Sequence, residues 1–134
     1  MAISYDDTLR DNRMDEVTAV AGNAALIRIY SGTRPTNGGA EGTLLAELTC
    51  DTPFAPASSG GVLTLGTITD DSSANASGTA SWFRIYSAGA AAIVCDGDVG
   101  VAGSGADLIL DSTSITATQT VSIDTFVITE GNDY

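Results

Sequence analysis

From residue 24 to the C-terminal end, short β-branched and aromatic runs alternate with clusters of glycine, proline, asparagine, aspartate and serine. This punctuation constrains the fold more than any other feature. A strand is complete in about four to eight residues, whereas an amphipathic helix needs a longer stretch of 3.6-residue periodicity. The runs predict strands over 24–30, 44–49, 62–68, 79–86, 92–96, 107–110 and 120–129. The breaks between them carry turn formers, among them Pro35, Asn37, Gly38, Gly39 and the stretch from Pro53 to Gly61. Alternation is visible within the strands: Ala25, Ile27 and Ile29 share one face, with Leu26, Arg28 and Tyr30 on the other. Likewise Phe83 and Ile85 oppose Trp82, Arg84 and Tyr86. In the last strand Val121 and Ile123 fall out of phase with Phe126 and Ile128, which predicts a bulge near Asp124-Thr125. The fold class expected is all-β, a β-sandwich or jelly-roll-like domain of about seven to eight strands.

Residues 1–22 read differently. Asp6, Asp7, Arg10, Asp11, Arg13, Asp15 and Glu16 crowd a short segment in which Leu9, Arg13, Val17 and Val20 mark one helical stripe, with Met14 beside it. Ser4 or Asp6 would cap the helix and Gly22-Asn23 would end it, giving a helix over about 5–20. The apolar stripe is thin, so a packed terminal helix and an arm that orders on a partner both stay open. The division expected is an N-terminal helix or arm over 1–22 and one β-sandwich domain over 23–134.

Charge closes many functions. The 134 residues hold 17 acidic and five basic groups, a formal charge of −12, and all five cations are arginines: Arg10, Arg13, Arg28, Arg34 and Arg84. Without histidine there is no Ser-His-Asp triad and no His metal ligand; without lysine there is no Schiff base and no P-loop. A chain this anionic repels nucleic acid. At 43% hydrophobic residues it carries enough apolar mass for a packed core rather than a disordered acidic tail. Its apolar runs are far shorter than a membrane span, so no membrane partner is expected. The N-terminal residues show no basic start and no apolar leader, which predicts synthesis in a cytoplasm with Cys50 and Cys95 reduced, although pairing of the two stays open.

Three acidic groupings invite a calcium reading: Asp70-Asp71, Asp96-Gly97-Asp98, and Asp107 with Asp111. Of these Asp96 and Asp98 are the candidate ligands, set against the commoner use of aspartate as a turn former. Gly103-Ser104-Gly105 begins like a dinucleotide fingerprint but has Leu108 at the third glycine position, so no cofactor is expected. The arginine–aromatic faces hold more interest. Arg, Trp and Tyr are enriched at protein–protein hot spots, making Arg28, Tyr30, Trp82, Arg84 and Tyr86 interface candidates together with Leu9, Arg10 and Arg13 of the N-terminal segment. The competing reading is that each guanidinium covers the sheet and pairs with a nearby aspartate. The strings Arg28-Ile29-Tyr30-Ser31 and Arg84-Ile85-Tyr86-Ser87 also echo each other, as do Cys50-Asp51 and Cys95-Asp96.

Taken over most of its length, the chain resembles a family of small structural proteins of tailed bacteriophages and prophages. The resemblance rests on Leu9-Arg10-Asp11-Asn12, on 26–35, on 42–48, on 78–84, on Asp96-Gly97-Asp98-Val99-Gly100 and on 126–131. It implies a virion component without enzymatic activity, foremost a capsid decoration (cement) protein assembled in the host cytoplasm. Its partners would be the major capsid protein and further copies of itself. A tail, baseplate or head–tail connector protein is the structural alternative. A calcium- or carbohydrate-binding β module is the alternative of another class.

Overall fold

The computed structural model describes residues 3–36 and 38–130. Met1, Ala2, Asn37 of the first long turn and 131–134, the end of the expected β domain, lie outside them. Within the described residues one α-helix, α1 (Asp7–Ala21), precedes ten strands: β1 (Leu26–Tyr30), β2 (Leu44–Cys50), β3 (Val62–Thr64), β4 (Ile68–Thr69), β5 (Gly78–Thr79), β6 (Trp82–Tyr86), β7 (Ile93–Gly100), β8 (Leu108–Ile109), β9 (Ser114–Ile115) and β10 (Val127–Thr129). Six form one curled sheet in the order β4-β2-β1-β6-β7-β8, antiparallel except for the β7–β8 pair. The pairs β3–β10 and β5–β9 stand apart from it. The protein is thus mostly β with one helix.

Several expected strands are shorter or divided. The stretch 62–68 is broken at Leu65 to Thr67, where Gly66 lies against Asp51: a Cβ there would sit 3.1 Å from that side chain. The stretch 79–86 is interrupted at Ala80-Ser81, and 120–129 keeps only an isolated bridge at Val121 before β10. Conversely, β7 runs on to Gly100, four residues beyond the expected end at Asp96, because its glycines are pairing positions and not turns.

The core lies on the face of the sheet that carries Ile27, Ile29, Phe83 and Ile85, all buried with Leu48, Phe54, Leu63 and Phe126. Direct cross-strand neighbours build it. Ile27 sits opposite Leu48 and Ile85, and Ile29 opposite Ala46 and Phe83. The Phe83 ring meets Phe126 edge-on at 5.3 Å, which ties β6 to the chain leading into β10. Opposite Phe83 stands Gly97, where a Cβ would come within 2.5 Å of the ring, so only glycine lets the aromatic side chain lie across β7.

The helix docks on a different face from the one the stripe predicts. Asp6 caps it by accepting from the Thr8 N–H at 3.0 Å, and Gly22 closes it with φ +69. Arg10 and Ala21 are buried, with Met14 and Val17 packed against the core, whereas Leu9 and Val20 are exposed. The face is chosen by polar contacts. Asp11 accepts from the Gly61 N–H and Asp15 from the Ser58 N–H, each at 2.7 Å, while Arg10 lies on Gly61 and donates to the Glu130 carbonyl. These bonds outweigh an apolar stripe too thin to orient the helix. The terminal segment is therefore a docked helix.

The internal echo is a local two-fold. Strands β1 and β6 run antiparallel with Arg28 directly opposite Arg84. Each heads a hairpin, β1–β2 and β6–β7, and each hairpin shifts register at the equivalent place, between Ile29 and Tyr30 in one and between Ile85 and Tyr86 in the other. Glu47 opposite Arg28 corresponds to Asp96 opposite Arg84. The cysteines do not correspond, since Cys50 lies beyond the Arg28 hairpin's equivalent of Cys95, which is Ala46.

Candidate interaction site

The sheet face opposite the core carries a row of four charges, one from each central strand: Glu47, Arg28, Arg84 and Asp96. Glu47 turns its N–H outward to Asp71, so Glu47 and Arg28 meet at a narrow position without backbone bonds between them. By the same alternation Arg84 and Asp96 meet at a narrow position, and the two arginines face each other at a wide one. Opposite charges are therefore brought close and like charges held apart. Arg84 grips Asp96 with both edges, Nε to Oδ1 at 2.6 Å and a terminal nitrogen to Oδ2 at 2.9 Å. Arg28 Nε donates to Glu47 at 2.7 Å, with Glu41 4.0 Å away. Hydrogen bonding to these carboxylates raises both guanidinium pKa values, against a smaller opposing effect of burial.

Aromatic rings complete the face. Tyr30 and Trp82 stack with ring centres 4.4 Å apart; Arg84 lies 5.3 Å from the Trp82 ring centre, and Arg28 lies 5.0 Å from that of Tyr86. Burial pushes the Tyr30 phenol up to about 12, with nearby Glu41 adding to the shift. This surface is closed in the folded chain. Tyr30 and Trp82 are fully buried, Arg84 is 1% exposed and Tyr86 7%. Their expected place in an interface is corrected: inaccessible side chains have no area to offer a partner, and the guanidinium–carboxylate pairing alternative is what the chain adopts. Arg10 is corrected in the same way, being buried with its guanidinium on Asp7 at 2.9 Å. Arg28 is mostly covered by Glu47. Leu9 is exposed and Arg13 half-exposed, the latter ion-paired with Glu130 and lying over the Tyr5 ring. Of the interface candidates, these two remain open to contact.

Four of the six grouped aspartates, Asp71, Asp96, Asp98 and Asp107, have partners of their own. Both Asp96 oxygens belong to Arg84, which removes Asp96 as a calcium ligand, because a cation would have to displace a two-point charge-assisted contact. Asp98 lies 3.5 Å from Arg34. Asp71 accepts from Glu47 and Ser73 N–H groups, and Asp107 from the Asp98 N–H at 2.9 Å. Among the described residues, no three acidic or cysteine side chains converge as a metal site would require. Both cysteines are free, and burial pushes Cys50 up to about 12 and Cys95 to about 11, so neither is a ready nucleophile at neutral pH.

Comparison with protein-family models, curated proteins and solved structures finds no match to this chain. Geometry is what characterises the site. Two clefts flank the outer edge of β7. One, of about 630 Å³, lies between Arg34, Pro35, Thr36 and Gly38 on one side and Ile93 to Asp96 on the other. The other, of about 330 Å³, is lined by Phe83, Gly97, Asp107 and Phe126 to Thr129. Of the site candidates named from sequence, only Asp96 and Asp98 fall on this edge. The available signal was the run from Ile93 to Gly100, whose two glycines read as turn formers.

Proposed function

We propose that the chain is a non-enzymatic structural protein of a tailed-phage particle, a capsid decoration protein that holds to the major capsid protein shell and to copies of itself. The observation that carries this reading is the commitment of every arginine to an internal ion pair, with Asp7, Glu130, Glu47, Asp98 and Asp96 as partners. The five arginines are spent on rigidity, and both thiols are held protonated at neutral pH. The phage resemblance supplies the location, and the anionic surface suits an outer protein that must avoid packaged DNA. On this reading the six-stranded sheet and the β3–β10 pair are the two layers of a sandwich closed by α1. No helix among the described residues is long and apolar enough to cross a membrane.

Quantitative mass spectrometry of purified particles tests it. Copies on the order of hundreds per particle are expected, since a shell repeats its binding site many times. A single ring's worth would transfer the chain to the tail, baseplate or connector. Absence from particles would remove the virion reading altogether.

A further inference from the structure

We propose that the outer edge of β7 between Ile93 and Asp98 is a docking site for an extended segment of a basic partner, which adds to the sheet as a further strand. The proposal does not depend on the particle role above.

The local two-fold shows what is missing. On the first hairpin the outer edge of β2 is covered throughout: Thr49 and Cys50 pair with β4, the Glu47 N–H goes to Asp71, and the Leu45 carbonyl accepts from the Asn75 N–H at 2.8 Å. On the second hairpin, cover reaches only part of β7. The Gly100 carbonyl accepts from Leu110 and the Asp98 N–H goes to Asp107. Val99 donates inward to Ser81, so the strand's alternation turns the Asp96 N–H and C=O outward. Among the described residues no strand pairs there. Asp96 is the two-fold equivalent of Glu47, whose N–H is capped. An open strand edge is a template for another chain.

The two clefts lie on opposite faces of that edge, and the side chains of an added strand would enter them alternately. The cleft with Phe83, Phe126 and Val127 sets apolar side chains beside the carboxylates of Asp96 and Asp107, and Val127 is 42% exposed. The other cleft has Arg34 and the Arg84-bound Asp96 in its wall, and the half-exposed Asp98, two residues on, is only loosely held by Arg34 at 3.5 Å. An occupant alternating apolar and basic side chains suits Phe126 and Val127 together with Asp98 and Asp107, in a chain of charge −12. A second copy fits less well, because a chain of charge −12 would set its own Asp96 and Asp98 against these.

The test uses the full chain, isotope-labelled, and a short end-capped peptide alternating valine and lysine. Its controls are the same peptide N-methylated on alternate residues in either phase, which keeps charge and apolar area but removes strand-forming N–H groups. Expected are slowed exchange of the Asp96 amide, shifts confined to 93–98, 126–129, 34–36 and Gly38, and an affinity loss on the order of tenfold for one methylated phase. Asp98→Lys should weaken binding several-fold while leaving the amide spectrum of β1 unchanged. Equal binding of all three peptides would reduce the effect to bulk charge and overturn the proposal. So would an unchanged Asp96 amide, or a peptide-free dimer in which that amide is already protected.

Discussion

The Arg84 guanidinium holds Asp96 at two points in nearly dry surroundings, with side chains 2% and 12% exposed. Removing one partner leaves the other charge buried, so Arg84→Ala should cost about 3–5 kcal/mol in urea denaturation, whereas replacing both by apolar residues of similar size should cost far less. Equal losses for the single and double variants would mean the pair contributes through packing alone. Gly97→Ala is the matching steric test. The added methyl meets the Phe83 ring, and a loss of about 1–3 kcal/mol is expected unless the ring finds another rotamer. The raised pKa values of Cys50, Cys95 and Tyr30 set the alkaline limit. In each case the folded protein holds a proton that the unfolded chain releases earlier, near the ordinary values of 9.0 for the thiols and 10.0 for the phenol. Their contribution is complete below about pH 9 and falls as pH rises toward 11 and 12, because there the unfolded state binds fewer protons. Cys50→Ala with Cys95→Ala should flatten the decline of the urea midpoint between about pH 9 and 11. An undiminished slope would assign the decline to other groups.

Among the elements, α1 is the one whose attachment is most separable from the rest. It is held by Asp11 and Asp15 on the 58–61 loop and by Arg10 on Gly61 and Glu130. Asp11→Asn with Asp15→Asn weakens two charge-assisted contacts without altering the core. Amide exchange should accelerate through the helix while β1 and β6 stay protected. Uniform acceleration would show that helix and sheet open as one unit. The helix ends were legible because capping is local: Asp6 and Gly22 act on their own neighbours. Its buried face was not, because the partners of Asp11 and Asp15 lie 50 and 43 residues away. For the strands, apolar alternation located β1 and β6. The short strands β4, β5, β8 and β9 hold two residues each, too few to express a period.

For the molecule as a whole, all five arginines are already paired, so most of the remaining carboxylates repel one another without a cation beside them. The melting temperature should rise with added salt between about 0.01 and 0.15 M, since screening relieves long-range repulsion more than it weakens the buried Arg84–Asp96 pair. A fall would mean that exposed ion pairs outweigh the repulsion. Residue types and near neighbours were enough to specify the β-rich class, the helix with its caps, the chemistry closed to a chain without lysine or histidine, and the recurrence of Arg-Ile-Tyr-Ser. None of these needs more than a few adjacent positions. The sealing of the arginine–aromatic faces, the two-fold relation of the hairpins and the open edge of β7 became visible only in three dimensions. They depend on which strand lies beside which, and pairing between distant segments is set by the packing of the whole core.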